Sequence, residues 1–303
     1  MKRNIWGLNL QELETWVVGN GFPRFRAKQL RDYLYKRHIF HFDEMTQFSQ
    51  KMRDWLKENG QIDKPVIISR AQSDDEKTIK LLLKLKDGSL VETVCMCHHY
   101  GNSICVSTQV GCAMGCIFCA STRKGLERNL TAGEILAQMY AFKELYDIPF
   151  HSIVLMGAGE PLTNYEEVLH FIHLANDPEL LNISYRNITI STCGIVPQIY
   201  RLADENIPIT LAISLHAPND RIRNVLVPIS KNFRIKDVVS AAEYYFKKTK
   251  RRVTFEYILI KDMNASVENA KELCCLIGKM PCHINLIPIN GTCLLYTSDA
   301  ADD

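Results

Sequence analysis

The sequence predicts an α/β fold: a partial (β/α)6 barrel over residues 101–290, a small N-terminal helical domain over 1–64 and a β-hairpin connector over 65–100. Three observations predict it. From about residue 102, short β-rich apolar runs alternate with amphipathic helical stretches, the texture of β/α units on a parallel sheet. Just before them, apolar and polar residues alternate in two short runs joined by a turn. The first sixty residues or so carry helical rather than strand periodicity.

In the N-terminal part, Gly21-Phe22-Pro23 breaks the chain, and a helix follows with Ala27, Leu30 and Leu34 on one face. Arg24, Arg26, Lys28, Arg31, Lys36 and Arg37 set six cations against one anion, Asp32. Charge alone leaves two readings open, a solvated helix face and a phosphate-tracking surface. Gly60 closes this part. Next, Ile79, Leu81, Leu83 and Leu85 alternate with Lys80, Leu82, Lys84 and Lys86, Asp87-Gly88 supplies a two-residue turn, and Leu90–Cys97 returns. Six strands are then predicted at Ser103–Val110, Ser152–Gly157, Asn187–Thr192, Ile209–Leu215, Arg252–Ile260 and His283–Ile289. Thr131 with Glu134, and Thr163 with Glu166, have capping-box spacing for helix starts between them. In such folds chemistry collects at the carboxyl ends of the strands.

The composition is that of a globular protein: 303 residues, 47% apolar and 23% charged. It excludes a disordered tail, a collagen-like fibre and a disulfide-stapled module. Lys plus Arg is 36 against 34 acids, a net charge of +2, so any nucleic-acid surface must come from local clustering. No apolar run reaches the length of a bilayer span, and the start lacks an apolar h-region and a cleavage site. A cytoplasmic location is expected, with thiols reduced, so the eleven cysteines read first as metal or catalytic groups.

The densest chemical signal is Cys112-Ala113-Met114-Gly115-Cys116-Ile117-Phe118-Cys119, directly after the first predicted barrel strand. Three thiolates can hold a four-iron cluster and leave one iron open. That iron can chelate the amino and carboxylate groups of S-adenosyl-L-methionine, whose sulfonium an electron from the cluster then cleaves. A zinc site and three buried thiols are the competing readings. Structural zinc takes four ligands as paired knuckles, a pattern absent here. Cys95, Cys97, His98 and His99 match no common knuckle either, and packing accounts for the two cysteines.

Cys-x-x-x-Cys-x-Phe-Cys after a strand resembles the radical SAM superfamily. Cys105-Val106-Ser107-Thr108-Gln109-Val110-Gly111, Asn129-Leu130-Thr131-Ala132-Gly133-Glu134-Ile135, Gly157-Ala158-Gly159-Glu160-Pro161-Leu162, Ile190-Ser191-Thr192-Cys193-Gly194-Ile195 and Ser214-Leu215-His216-Ala217 narrow it. Together they resemble the bacterial dual-specificity rRNA and tRNA adenine-C2 methyltransferases, from the N-terminal part to Asn290. The resemblance implies a radical SAM barrel, a 4Fe-4S cluster on Cys112, Cys116 and Cys119, and S-adenosyl-L-methionine held by Gly159, Glu160, Ser191, Ser214, Leu215, His216 and Asn290. Taken singly, Glu160 could equally cap a helix, His216 sit satisfied in a core, and Asn290 form a turn. The resemblance further implies Glu92 as proton acceptor and Cys105 as the non-ligand thiol that assists resolution of a covalent intermediate; the bland alternatives are an exposed strand glutamate and a small buried hydrophobe. It also implies a disulfide bond, 23S rRNA and tRNA as partners, a basic N-terminal domain that binds RNA, and a flavodoxin-type electron donor, with no DNA and no membrane.

The implied chemistry explains this equipment. C2 of adenine is an electron-poor amidine carbon that does not attack a methyl sulfonium. A C-terminal cysteine first accepts a methyl group, a radical abstracts hydrogen from it, and the carbon radical adds to adenine before a thiol releases product. The sequence departs from the family after Asn290: Gly291 stands where proline is usual, and residues 291–303 read as an aberrant tail. The methyl-carrying cysteine is expected well beyond Asn290, and Cys293 lacks a flanking motif to replace it. The chain as written is therefore expected to hold cluster and cosubstrate but to complete little or no methylation. The alternatives are the related adenine-C8 rRNA resistance methyltransferases, a radical enzyme acting on a peptide or small molecule, and a non-catalytic RNA-binding adaptor with a structural metal.

Overall fold

The computed structural model describes residues 2–146 and 148–289. Asn290 and the segment 291–303, Cys293 included, lie outside the described residues.

The N-terminal part comprises β1 (Arg3–Asn4), α1 (Leu10–Gly19), α2 (Phe25–Tyr35), α3 (Gln50–Asn59) and β2 (Gly60–Gln61), with β1 and β2 paired in parallel. Asn9 and Glu12 close a capping box on α1: Glu12 N–H donates to Asn9 Oδ1 (2.9 Å) and Asn9 N–H to Glu12 Oε2 (2.7 Å). Ala27, Leu30 and Leu34 are fully buried, as the periodicity requires. The basic segment is largely engaged within the protein. Arg31 is buried and pairs with Asp177 (2.8 Å), while Arg24, Lys36 and Arg37 pair with Glu14, Glu179 and Asp32. Trp6 ties this part to the rest by donating its indole N–H to Gly133 O (2.9 Å).

Next come β3 (Val66–Gln72), β4 (Thr78–Lys84), β5 (Leu90–His98), β6 (Gly101–Cys105), β7 (Gln109–Gly111) and β8 (Leu126–Asn129). The remainder alternates as α4 (Ala132–Tyr146), β9 (Phe150–Leu155), α5 (Tyr165–Asn176), β10 (Ile188–Thr192), α6 (Val196–Asp204), β11 (Thr210–Ser214), α7 (Asp220–Leu226), α8 (Ile235–Thr249), β12 (Val253–Leu259), α9 (Val267–Ile277) and β13 (Cys282–Pro288). Among the described residues, nine strands form one sheet in the order β3-β4-β5-β6-β9-β10-β11-β12-β13. The six from β6 to β13 run parallel, while β3 to β6 pair antiparallel. β6 and β13 lie apart in this order, so the six β/α units make an open, partial barrel.

Four expectations change in detail. The first barrel strand ends at Cys105 rather than Val110, because Gln109–Gly111 leave the sheet to pair with β8. The hairpin is more than a joint: β5 pairs with β6 and extends the barrel sheet. Its loop has three residues, Lys86-Asp87-Gly88, since Leu85 N–H donates to Ser89 O (2.8 Å). The Thr131–Glu134 capping box forms, but the second does not. Thr163 instead donates its hydroxyl to Glu160 O (2.9 Å), and Glu166 pairs with Arg201. β3 escapes a period-2 reading because a bulge between Ile67 and Ser69 breaks its alternation and most of it is exposed.

Candidate active site

The carboxyl ends of the barrel strands surround a cavity of about 230 Å³. Cys112, Cys116, Cys119, Gly159, Glu160, Ser191, Ser214 and His216 all line it. The hydrogen-bond register explains the convergence. Ser191 lies opposite Ala212, Ala212 opposite Thr254, and Ser214 opposite Glu256, itself opposite Asn285. Residues paired across a sheet share a face, so these polar groups stand on the inner face of the barrel.

The three cysteines sit on the loop between β7 and β8. Its neck closes where Cys112 N–H donates to Gly125 O (3.0 Å). Gly111 has φ +73°, and a Cβ there would fall 2.0 Å from Gly125 O, so the neck demands glycine. Ile117 N–H donates to Leu226 O (3.2 Å), which fastens the loop to α7. Burial pushes the Cys116 thiol up to about 12, with the neighbouring Cys119 and Cys112 adding to the shift, and raises Cys112 as well. Ligation by a metal centre must therefore displace protons from these sulfurs. Among the described residues no three His, Cys, Asp or Glu side chains converge as ligands of one metal ion. An all-thiol donor set spread around one cavity fits a multi-iron cluster, which is wider than a single ion.

Glu160 is only 3% exposed and is held from both sides. Leu162 N–H donates to its Oε1 (3.0 Å) and Cys193 N–H to its Oε2 (2.7 Å). Its own N–H donates to Gln109 Oε1 (2.8 Å). Burial raises its carboxyl above the ordinary carboxylate range, and the two N–H donors pull it back. Gly159 beside it has φ +111°, and a Cβ there would lie 2.7 Å from Gln109 and 2.8 Å from Thr108. His216 is buried with φ +58°. Its Nδ1 accepts from Ile258 N–H (3.0 Å), and Asn264 Nδ2 donates to its carbonyl (2.8 Å). Burial lowers its imidazole to about 3, so the ring is neutral and carries its proton on Nε2. Leu215 differs from its neighbours: its side chain is fully buried in the core and does not line the cavity. Only its carbonyl is left to serve a ligand there, because its N–H donates to Glu256 O (3.1 Å).

Residues 106–274, more than half of the chain, match the radical SAM superfamily, and residues 3–62 match the ribosomal RNA large subunit methyltransferase N-terminal domain. The "Probable dual-specificity RNA methyltransferase RlmN" of Clostridium novyi is 49% identical over 289 residues, 95% of this chain and 84% of that protein. Its counterpart in Clostridium perfringens is 48% identical over 95% of this chain and 83% of its own length. The chain belongs to the RlmN family of radical SAM enzymes. A crystal structure of a radical SAM methyltransferase from Sphaerobacter thermophilus superposes with a TM-score of 0.89 at 41% identity, covering 95% of this chain and 85% of that one. The radical SAM superfamily uses a 4Fe-4S cluster and S-adenosyl-L-methionine.

The other two RlmN-like positions stand outside the cavity lining but on the same face. Val94 pairs with Cys105, so Glu92, two residues before Val94, shares that face with Cys105. Cys105 pairs with Val154, which sets it beside Met156 on the cavity wall. Burial raises the Cys105 thiol to about 11. Glu92 is 57% exposed and ion-paired to Lys80 (3.0 Å). Several residues had no role assigned from the sequence. Gln109, Asn129 and Thr163 form a hydrogen-bonded brace under Glu160, visible only once the strands are placed. Glu256 lines the cavity, its Oε2 accepting from Asn285 (2.8 Å), but it sits mid-strand with no motif around it. Arg223 on α7 is fully buried; its Nη2 donates to Cys193 O, while Nε and Nη1 have no acceptor. In the sequence it looks like any surface helix arginine.

Proposed function

We propose that this chain is a radical SAM RNA methyltransferase directed at C2 of adenine, in 23S rRNA and in tRNA, working in the cytoplasm with a flavodoxin-type electron donor. The observation that carries this reading is the single cavity in which three thiols meet Glu160 and His216. Cys112, Cys116 and Cys119 would hold the 4Fe-4S cluster, and Gly159, Glu160, Ser191, Ser214, the Leu215 backbone and His216 the S-adenosyl-L-methionine. When bound, these groups supply one-electron cleavage of a sulfonium and hydrogen-atom abstraction.

The chain's own residues orient and exclude. Each Glu160 oxygen accepts one backbone N–H, which fixes the carboxylate in the cavity where it would meet an ammonium group. His216 Nε2–H remains a fixed neutral donor. The apolar walls, Met114, Phe118 and Leu155, keep water from the reacting centre. Glu92, on the same sheet face, would accept a proton, and Cys105, kept protonated by burial, would assist product release. The methyl-carrying thiol belongs to the part of the family pattern beyond Asn290, so cosubstrate cleavage is the half-reaction that rests on described residues.

The test reads that half-reaction. Reconstituted anaerobically and reduced with dithionite, the chain should bind iron and sulfide and release 5′-deoxyadenosine from S-adenosyl-L-methionine. E160A should keep the iron and lose the release. A colourless zinc protein would instead support the RNA-binding adaptor. Nucleoside mass spectrometry of RNA treated with the enzyme separates the carbons: 2-methyladenosine supports this reading and 8-methyladenosine overturns its site preference.

A further inference from the structure

We propose that Arg223 is the buried counter-charge of the cluster and sets how readily that cluster accepts an electron. The inference rests on the cluster reading of Cys112, Cys116 and Cys119.

The starting observation is a buried guanidinium with unspent donors. Arg223 has no solvent exposure, and its guanidinium spends Nη2 on the Cys193 carbonyl but leaves Nε and Nη1 without acceptors. A guanidinium does not shed its proton, so an uncompensated one is among the most costly groups to bury. The surroundings are built for it nonetheless. Gly194 packs against it so closely that a Cβ there would come within 3.1 Å of Nη2. The groups that act on it electrostatically narrow the choice of partner. Asp220, on its own helix, is an anion in its field, but its Oδ1 accepts from Ile235 N–H (2.7 Å) and it offers Nε and Nη1 no acceptor. His216 is neutral. Cys193 and Cys116 remain, and Cys193, whose carbonyl takes Nη2, lines one cavity with Cys116.

The negative charge added next to this guanidinium is then a thiolate that exists only when metal is bound. On ligation Cys112, Cys116 and Cys119 lose their protons, and Cys116 becomes negative beside the guanidinium. The two are mechanically coupled, because Ile117, next to Cys116, donates its N–H to Leu226 O on the helix that carries Arg223 (3.2 Å). A cluster with three thiolates carries net negative charge, and one electron adds another unit. A fixed cation in a dry pocket favours both the thiolates and the reduced state.

The experiment uses the full chain reconstituted anaerobically with iron and sulfide, in three forms: parent, R223Q and R223K. R223Q keeps a donor for the Cys193 carbonyl and removes the charge, while R223K keeps the charge. The readouts are iron and sulfide per chain, and the midpoint potential from a dithionite titration followed by electron paramagnetic resonance. R223Q is expected to retain several-fold less iron and to shift the potential to more negative values, with R223K close to the parent. Before reconstitution, R223Q should melt no lower than the iron-free parent, since it lacks the orphaned charge. Unchanged potential and iron in R223Q, equal shifts in R223Q and R223K, or an iron-free R223Q that fails to fold would each overturn the assignment. A parent chain that takes up no iron would instead bring down the cluster reading itself.

Discussion

The cavity rim and the basic stretch of α2 handle charge in opposite ways. The stretch from Arg24 to Arg37 is dense in cations, yet Arg24, Arg31, Lys36 and Arg37 all end in ion pairs within the protein. Arg26 is likewise engaged, donating to Gln29 and to the Gln47 carbonyl. The rim is sparse, offering roughly one polar side chain per strand end, and these are oriented by backbone groups with capacity left over. Glu160 is fixed by two backbone N–H groups, His216 keeps a donor, and behind the rim Arg223 keeps two unsatisfied nitrogens. A run of charge is therefore weak evidence for a ligand surface, whereas an isolated polar residue with unspent hydrogen-bonding capacity is strong evidence.

The comparison breaks most sharply at the cysteines. C116S should lose nearly all bound iron and sulfide after anaerobic reconstitution while keeping the parent's far-UV circular dichroism. The loop neck is held by Cys112 N–H and Gly125 O, not by the Cys116 sulfur, so the fold has little reason to follow the metal. Full iron occupancy in C116S would mean that the rim's thiols are not its ligands.

A middle-sized effect is expected at Arg31. Its side chain is 8% exposed and that of its partner Asp177 is 23% exposed, so R31M strands a poorly solvated carboxylate. Removing one partner of this half-buried pair costs about 2 kcal/mol, between the exposed and fully buried cases. Urea denaturation of the iron-loaded chain should show that loss, while iron content and the salt slope of RNA binding stay at the parent's values. A flatter salt slope in R31M would instead make this cation a phosphate contact and restore the functional reading of the segment.

The same contrast separates what was legible in the sequence from what was not. The six barrel strands could be placed because each is a short apolar run between helical periods, and five of them lie within a few residues of their predicted limits. The sixth overran, because Val106, Thr108 and Val110 keep strand-favouring residues in alternation after the chain has turned away toward β8. The cysteine trio was legible because its ligands are contiguous. Arg31 and Arg223 were not: both are arginines on short helices, and only tertiary placement shows one locked to Asp177 and the other buried with two of its nitrogens lacking acceptors. The second capping box failed for a related reason. Thr163 and Asn164 have the right spacing, but the carbonyls of Glu160, Thr108 and Leu130 claim their side chains.

The smallest effect is expected where the hairpin is tied to the cysteine loop. Arg128 on β8, just past the cysteine loop, donates its Nε to Asp87 in the hairpin loop (2.6 Å) and grips Glu134 with both terminal nitrogens (2.8 and 2.9 Å). The Arg128 guanidinium holds the Asp87 carboxyl well below the ordinary carboxylate value of about 3.9, helped by Ser89 N–H. A carboxyl depressed in the folded state contributes stability that is complete above its unfolded value and lost as pH falls through its folded one. The contribution therefore stands at neutral pH and fades only below about pH 4. Because Asp87 is 45% exposed, solvent screens the pair and the effect is modest. D87N should melt slightly below the parent at pH 7, and the two curves should converge as the pH drops toward 2.5. Curves that stay parallel across the acid range would show that the Arg128 clamp draws its strength from Glu134 alone, leaving the hairpin and the cysteine loop joined by the sheet and not by charge.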